Sequence, residues 1–189
     1  MTTRPLLAAV LAALLAAGAA GCTPPPPRSW TTGGTTLDLP RAQWILGEEA
    51  VELLPSGDVI VDGDLVLAID RVGRVYDGDG EPIGVLEPDG TLVGNDDVGL
   101  GSVGSRHASL AESPHAWISV EPNGQVIRYG DEGERYPFGA WFGCGPSPRA
   151  QQACTLVTHV LGMRLMRRAR GGDGGPTFGV GFGVTVPVR

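Results

Sequence analysis

The sequence predicts a mainly β (α+β) domain: an antiparallel β meander of short hairpin repeats with one C-terminal-region helix and a final strand. Three observations carry that expectation. Turn-forming glycines recur at intervals near 17 residues, clusters of Asp and Gly fall between them, and helical apolar spacing begins only after residue 147.

The repeat is carried by Gly57, Gly73, Gly90 and Gly124, spaced by 16, 17 and 34 residues. Each has an apolar residue four positions before it and another two after: Leu53 and Val59, Ile69 and Val75, Leu86 and Leu92, Val120 and Val126. Pro55, Pro88 and Pro122 stand two before the glycine, with Arg71 in that place in the second set. Proline presets φ for the second turn position, and glycine accepts a positive φ without steric cost. The second set of turns comprises Asp62-Gly63-Asp64, Asp77-Gly78-Asp79-Gly80, Asn95-Asp96-Asp97 and Gly130 to Gly133. Two turns per repeat leave strands of roughly five residues, a spacing that fits an open meander, a sandwich or a barrel. Val59/Val61 and Leu65/Leu67 alternate with other residues, as a sheet with one buried face requires. His107 occupies the slot where the next glycine is due, so Gly94 to Pro114 reads as a degenerate or looped insertion.

A helix is expected over 148–170. Ser147 supplies an N-cap and Pro148 a first-turn proline, while Gly171-Gly172 is a stop. Ala153, Val157, Val160, Leu161 and Leu165 fall at helical spacing and predict one buried face, packed against or beside the sheet. Arg164, Arg167, Arg168 and Arg170 suit the negative end of the helix dipole; contact with phospholipid headgroups is the sharper reading. From Thr177 to Arg189 the chain alternates Phe or Val with mostly Gly, which predicts a final strand. It would complete the sheet or, alternatively, be donated to a partner. An integral membrane barrel is disfavoured, since the other strands are short and acidic.

At the other terminus, Arg4 precedes an apolar run from Leu6, and no further charge occurs until Arg28. The run ends in Ala19-Ala20-Gly21-Cys22 and is followed at once by Pro24 to Pro27. A secretory signal has this form. Ordinary secretion and an uncleaved anchor are the other readings, although a membrane-spanning helix needs about 20 apolar residues. These residues resemble the lipobox of bacterial lipoprotein precursors, with Ala19 where leucine is usual. The resemblance implies that a lipid is attached to Cys22, that residues 1–21 are removed and that the new amino terminus is acylated. It implies a lipid-anchored place in the cell envelope, facing the periplasm or the exterior. In a Gram-negative host, Thr23 rather than Asp after the cysteine implies the outer membrane. The resemblance covers the signal alone and extends to no domain family for the mature part.

The chain then divides into a signal peptide (1–21), a lipidated cysteine with a Pro-rich tether (22–36) and a single β-rich domain (37–189). Four consecutive prolines make a stiff spacer that would hold the domain off the membrane, with Trp30 touching the domain or, alternatively, sitting at the lipid interface. Losing Arg4 moves the net charge from −7 to −8. That balance argues against a nucleic-acid partner. With Cys22 assigned to lipid, Cys144 and Cys154 remain, and an even pair in an oxidising compartment reads as a disulfide.

No catalytic, cofactor-binding or metal-ligating set emerges. His107, His115 and His159 have no ligand spacing, and there is no Gly-x-Ser-x-Gly nucleophile elbow. Asp77, Asp79 and Glu81 open like a calcium loop, but Pro82 and Pro88 stand where that loop needs glycine and its bidentate glutamate. The expected protein is therefore a monomeric envelope lipoprotein with a non-enzymatic interaction or structural role. The membrane, through its lipid anchor, and another envelope protein are its expected partners. The competing class is an enzyme or small-ligand binder with a site at residues 94–117, where His107 and His115 beside Trp117 are the first candidates.

Overall fold

The computed structural model describes residues 24–169. The expected signal peptide, Cys22 and the alternating Thr177 to Arg189 stretch lie outside the described residues.

Twelve strands follow one another: β1 (Ala42–Leu46), β2 (Glu49–Leu53), β3 (Asp58–Val61), β4 (Asp64–Ile69), β5 (Arg74–Asp77) and β6 (Pro82–Leu86). Then come β7 (Thr91–Gly94), β8 (Gly99–Val103), β9 (His107–Ser109), β10 (Ala116–Val120), β11 (Gln125–Tyr129) and β12 (Arg135–Phe142). Each pairs antiparallel with its neighbours in the chain, and β12 returns to pair with β1, placing Trp141 opposite Trp44. The meander is thus a closed barrel, the geometry that removes exposed strand edges. Among the described strands no edge is left unpaired.

The Pro-x-Gly turns share one hydrogen-bond scheme. Gly57, Gly73, Gly90 and Gly124 each donate a backbone N–H to the carbonyl three residues earlier, closing a four-residue turn whose last position, the glycine, is left-handed. Each turn also reaches the next hairpin. Ile69 N donates to the Gly57 carbonyl (2.9 Å), Leu86 N to Gly73 (2.8 Å), Val103 N to Gly90 (2.7 Å) and Trp141 N to Gly124 (2.8 Å). The region around His107 is not a looped insertion. It forms β8 and β9, and Val120 N bonds the Arg106 carbonyl at 2.8 Å, where the other repeats use glycine. A shorter 104–106 turn replaces the Pro-x-Gly unit, so the repeat persists in the backbone after its signature has gone.

Inward-facing residues are apolar, with Trp44, Val59, Val61, Leu67, Ile69, Val75, Leu92 and Val103 all buried. A twelve-stranded barrel is too wide for wall side chains alone to fill. Helix α1 (Pro148–Ala169) occupies the space. Its stretch from Ala153 to Leu161 is buried at every position, not on one face. The helix bonds the barrel on opposite walls: Arg164 Nη1 donates to the Val66 carbonyl on β4 at 3.1 Å, and Trp117 Nε1 on β10 donates to His159 at 2.7 Å. β4 and β10 stand six places apart in the ring of twelve. The helix therefore lies inside the barrel rather than against or beside it. Helical spacing identified its apolar residues; it did not reveal that Thr155, Thr158 and His159 between them face wall as well.

Cys144, just past β12, is joined to Cys154 in the second turn of α1, with Cα atoms 6.2 Å apart. The bond pins the plug to the wall. Replacing both cysteines by serine should cost about 2–3 kcal/mol on the loop-entropy model, read as a lowered urea midpoint. An unchanged midpoint would show that packing alone holds the helix. Ser147 does not spend its hydroxyl on the helix; it donates to Asp38 Oδ2 at 2.6 Å.

The described part of the expected tether lies along the barrel. Asp96 N bonds the Pro25 carbonyl (3.0 Å), and Arg28 pairs with Asp97 (2.9 Å). Arg74 then donates to the carbonyls of Trp30 and Thr31, while Trp30 packs edge-on to Tyr76 with ring centroids 5.0 Å apart. Gly34 N, Thr35 N and Leu37 N continue the contact to Val72, Leu86 and Arg71, and Leu37 is buried. Residues 25–37 are thus held against the domain instead of extending freely.

Candidate functional site

The alternation of turns gives the barrel two unlike ends. One carries the loops 47–48, 62–63, 78–81, 95–98, 110–115 and 130–134, which hold ten Asp or Glu and no Lys or Arg. At the other, the turns 54–57, 70–73, 87–90, 104–106 and 121–124 hold four acidic residues and two arginines. Helix α1 enters at this glycine end, where Gln152 donates to the Val103 carbonyl and Thr155 to that of Ser105. It leaves towards the acidic end, where Arg167 is exposed. Cationic residues of the last turns therefore stand at the acidic mouth and favour the helix dipole as well. Arg168 and Arg170 add to that expectation only as sequence, because their side chains lie outside the described residues.

Inside, polar groups are spent on one another. His159 accepts from Trp117 Nε1 at Nδ1, so Nε2 carries the proton and donates to the Leu100 carbonyl at 3.0 Å. Burial pushes its pKa down to about 4, only partly opposed by the bond to Leu100. Trp141 Nε1 donates to Thr158 (2.7 Å), which donates in turn to the Cys154 carbonyl (2.8 Å). Trp44 Nε1 donates to the Phe138 carbonyl at 3.0 Å. Buried tryptophans need such partners, and this network fixes the rotation and depth of the plug.

The residues first considered for a ligand or catalytic site do not converge. His107 opens β9 at the glycine end, opposite Ser119, and is exposed. His115 is exposed in the 110–115 loop at the acidic end. Trp117 points into the barrel against His159, with ring centroids 5.7 Å apart. The histidine that Trp117 meets was 42 residues away in sequence. Only its place within an apolar helical stretch hinted at burial, and nothing in the linear pattern named its partner. Ser119 is buried, its hydroxyl within reach of Glu121 and Tyr129. Asp77 Oδ1 accepts from Asp79 N and Glu81 N, so the calcium-like stretch uses its first carboxylate to close its own hairpin. Burial, with Asp62 nearby, raises the pKa of Glu49 on the same rim.

Outside, a groove of about 550 Å³ runs beside the disulfide at the glycine end, lined by Pro122, Trp141, Phe142, Cys144, Pro146 and Gln151. Phe142 is 62% exposed there, the most exposed large apolar side chain among the described residues. The groove offers apolar and amide surface with one carboxylate, Glu121, and no nucleophile–base pair. No group of three or more His, Cys, Asp or Glu among the described residues has the geometry to hold a metal ion. Compared with protein-family models, curated proteins and solved structures, the chain matches none.

Proposed function

We propose that the chain is a monomeric, lipid-anchored, non-enzymatic protein of the bacterial envelope, whose barrel presents a rigid surface to another envelope component. The filled lumen carries the interaction reading. A barrel that binds a small ligand inside needs a cavity, whereas here that space is taken by α1 and its polar groups are bonded to the wall. The anchor reading is supported by Ala19-Ala20-Gly21-Cys22 and by a disulfide that suits an oxidising compartment. The apolar groove with Phe142 and the acidic loops are the two surfaces available for recognition.

Radiolabelled palmitate should enter the wild-type protein and be absent from Cys22→Ser. Equal labelling of the two would overturn the anchor.

A further inference from the structure

We infer that residues 25–37 are a strap that fixes the lipidated Cys22 at the acidic end of the barrel, so that this end faces the membrane and the glycine end points away. The inference rests on the lipid-anchor reading and adds an orientation and a membrane-facing surface to it. A free polyproline-like tether over residues 22–36 would reach roughly 45 Å and leave the domain free to tumble. The strap shortens that reach. Its first bond to the barrel is the Pro25 carbonyl accepting from Asp96 N, and Arg28 ties the same loop through Asp97. Pro25 is the third residue after Cys22, a span of at most about 10 Å. The headgroup layer is itself roughly 5–8 Å deep on each side. Asp96 therefore lies next to the headgroups whenever Cys22 is anchored.

From Asp97 the strap runs to Arg71 and Val72 at the opposite end, fastened midway by Arg74 and the Trp30–Tyr76 contact. That run makes the direction of the barrel, not merely one contact, the consequence of the anchor. The surface presented carries ten carboxylates in its loops. Arginines that also stand at this end, Arg28 and Arg167 among them, are outnumbered by those carboxylates, so an anionic leaflet repels the end within a Debye length of about 8 Å and the partner it fits is a zwitterionic headgroup layer. The groove beside Phe142 then faces away from the membrane.

The test tethers the chain from Cys22 onward, through that cysteine, to a maleimide lipid in phosphatidylcholine vesicles, since Cys144 and Cys154 are already joined. Hydrogen exchange is compared with the untethered protein. Loops 62–63, 78–81 and 95–98 should exchange several-fold more slowly when tethered, and turns 54–57, 87–90 and 121–124 should not change. Even protection, or protection of the glycine end, overturns the strap. A ten-residue Gly-Ser insertion after Thr23 should abolish the bias, and a bias that survives it would also overturn the proposal. With phosphatidylglycerol added, protection should weaken; stronger protection would refute the zwitterionic partner. Because the anchor is supplied chemically, failure here leaves palmitate labelling to judge the lipoprotein reading separately.

Discussion

Alanine in place of Gly57 should cost about 4 kcal/mol, whereas the same change at Gly63 should cost only about 1–2 kcal/mol. Both glycines have left-handed backbone, with φ of 98° and 90°, so the conformational penalty is shared. They differ in what a Cβ would meet. At Gly57 it would stand 1.8 Å from the Ile69 carbonyl oxygen, while at Gly63 nothing lies within 4 Å. Relief requires moving β4 away from the turn, and that breaks the Ile69 N–Gly57 O bond tying one hairpin to the next. The other repeat glycines grade between these limits: 2.1 Å to the Trp141 oxygen at Gly124, 2.9 Å to Leu86 at Gly73 and 3.3 Å to Val103 at Gly90. Urea unfolding of the five alanine variants should rank them in that order. Equal losses would show that φ alone fixes these glycines, and the inter-hairpin contact would carry no weight. A domain stable by about 5–15 kcal/mol has little room for the Gly57 change.

That series also marks what the sequence made legible. Spacing and Pro-x-Gly chemistry exposed the strands, because turn residues act locally and each repeats its own signal. The reason for the repeat was not legible: the glycines are needed where one hairpin's turn meets the carbonyl of the next, a contact between residues 12 to 17 apart. Where Arg106 substitutes in that contact, the local signal vanished and the hairpin with it, although β8 and β9 are present. Barrel closure depends on Trp44 meeting Trp141 across almost the whole domain, and no short-range pattern encodes that. The start of the helix was legible from Pro148 and its course from apolar spacing. Its depth was missed because threonine and histidine look solvent-facing until Trp117 and Trp141 arrive from the wall. The Pro-rich segment misled for a related reason. Its composition argues for a free spacer, and only Asp96, Asp97 and Arg74, far along the chain, bind it down.

The plug should make the protein acid-sensitive through His159. Its folded pKa of about 4 lies below the ordinary value of 6.5, so the unfolded chain binds the proton first as pH falls. Stability from this group is therefore complete above pH 6.5 and is lost progressively down to about pH 4. A gap of that size corresponds to roughly 3 kcal/mol. Protonation at Nδ1 would set N–H against the Trp117 N–H that now donates there, inside a wall with no carboxylate hydrogen-bonded to the ring. Two carboxyls act in other senses. Glu49, raised by burial and Asp62, takes up its proton more readily in the folded state and opposes the loss. Asp89, lowered by the Thr91 backbone N–H, adds a loss only at still lower pH. His159→Gln keeps an amide to bond the lumen but cannot titrate, so its stability should be lower at pH 7 and nearly flat between pH 6.5 and 4. Urea midpoints across that range decide the matter. A wild-type curve parallel to that of His159→Gln would mean that the ring is hydrated when the barrel is folded, and that α1 does not seal the lumen around Trp117.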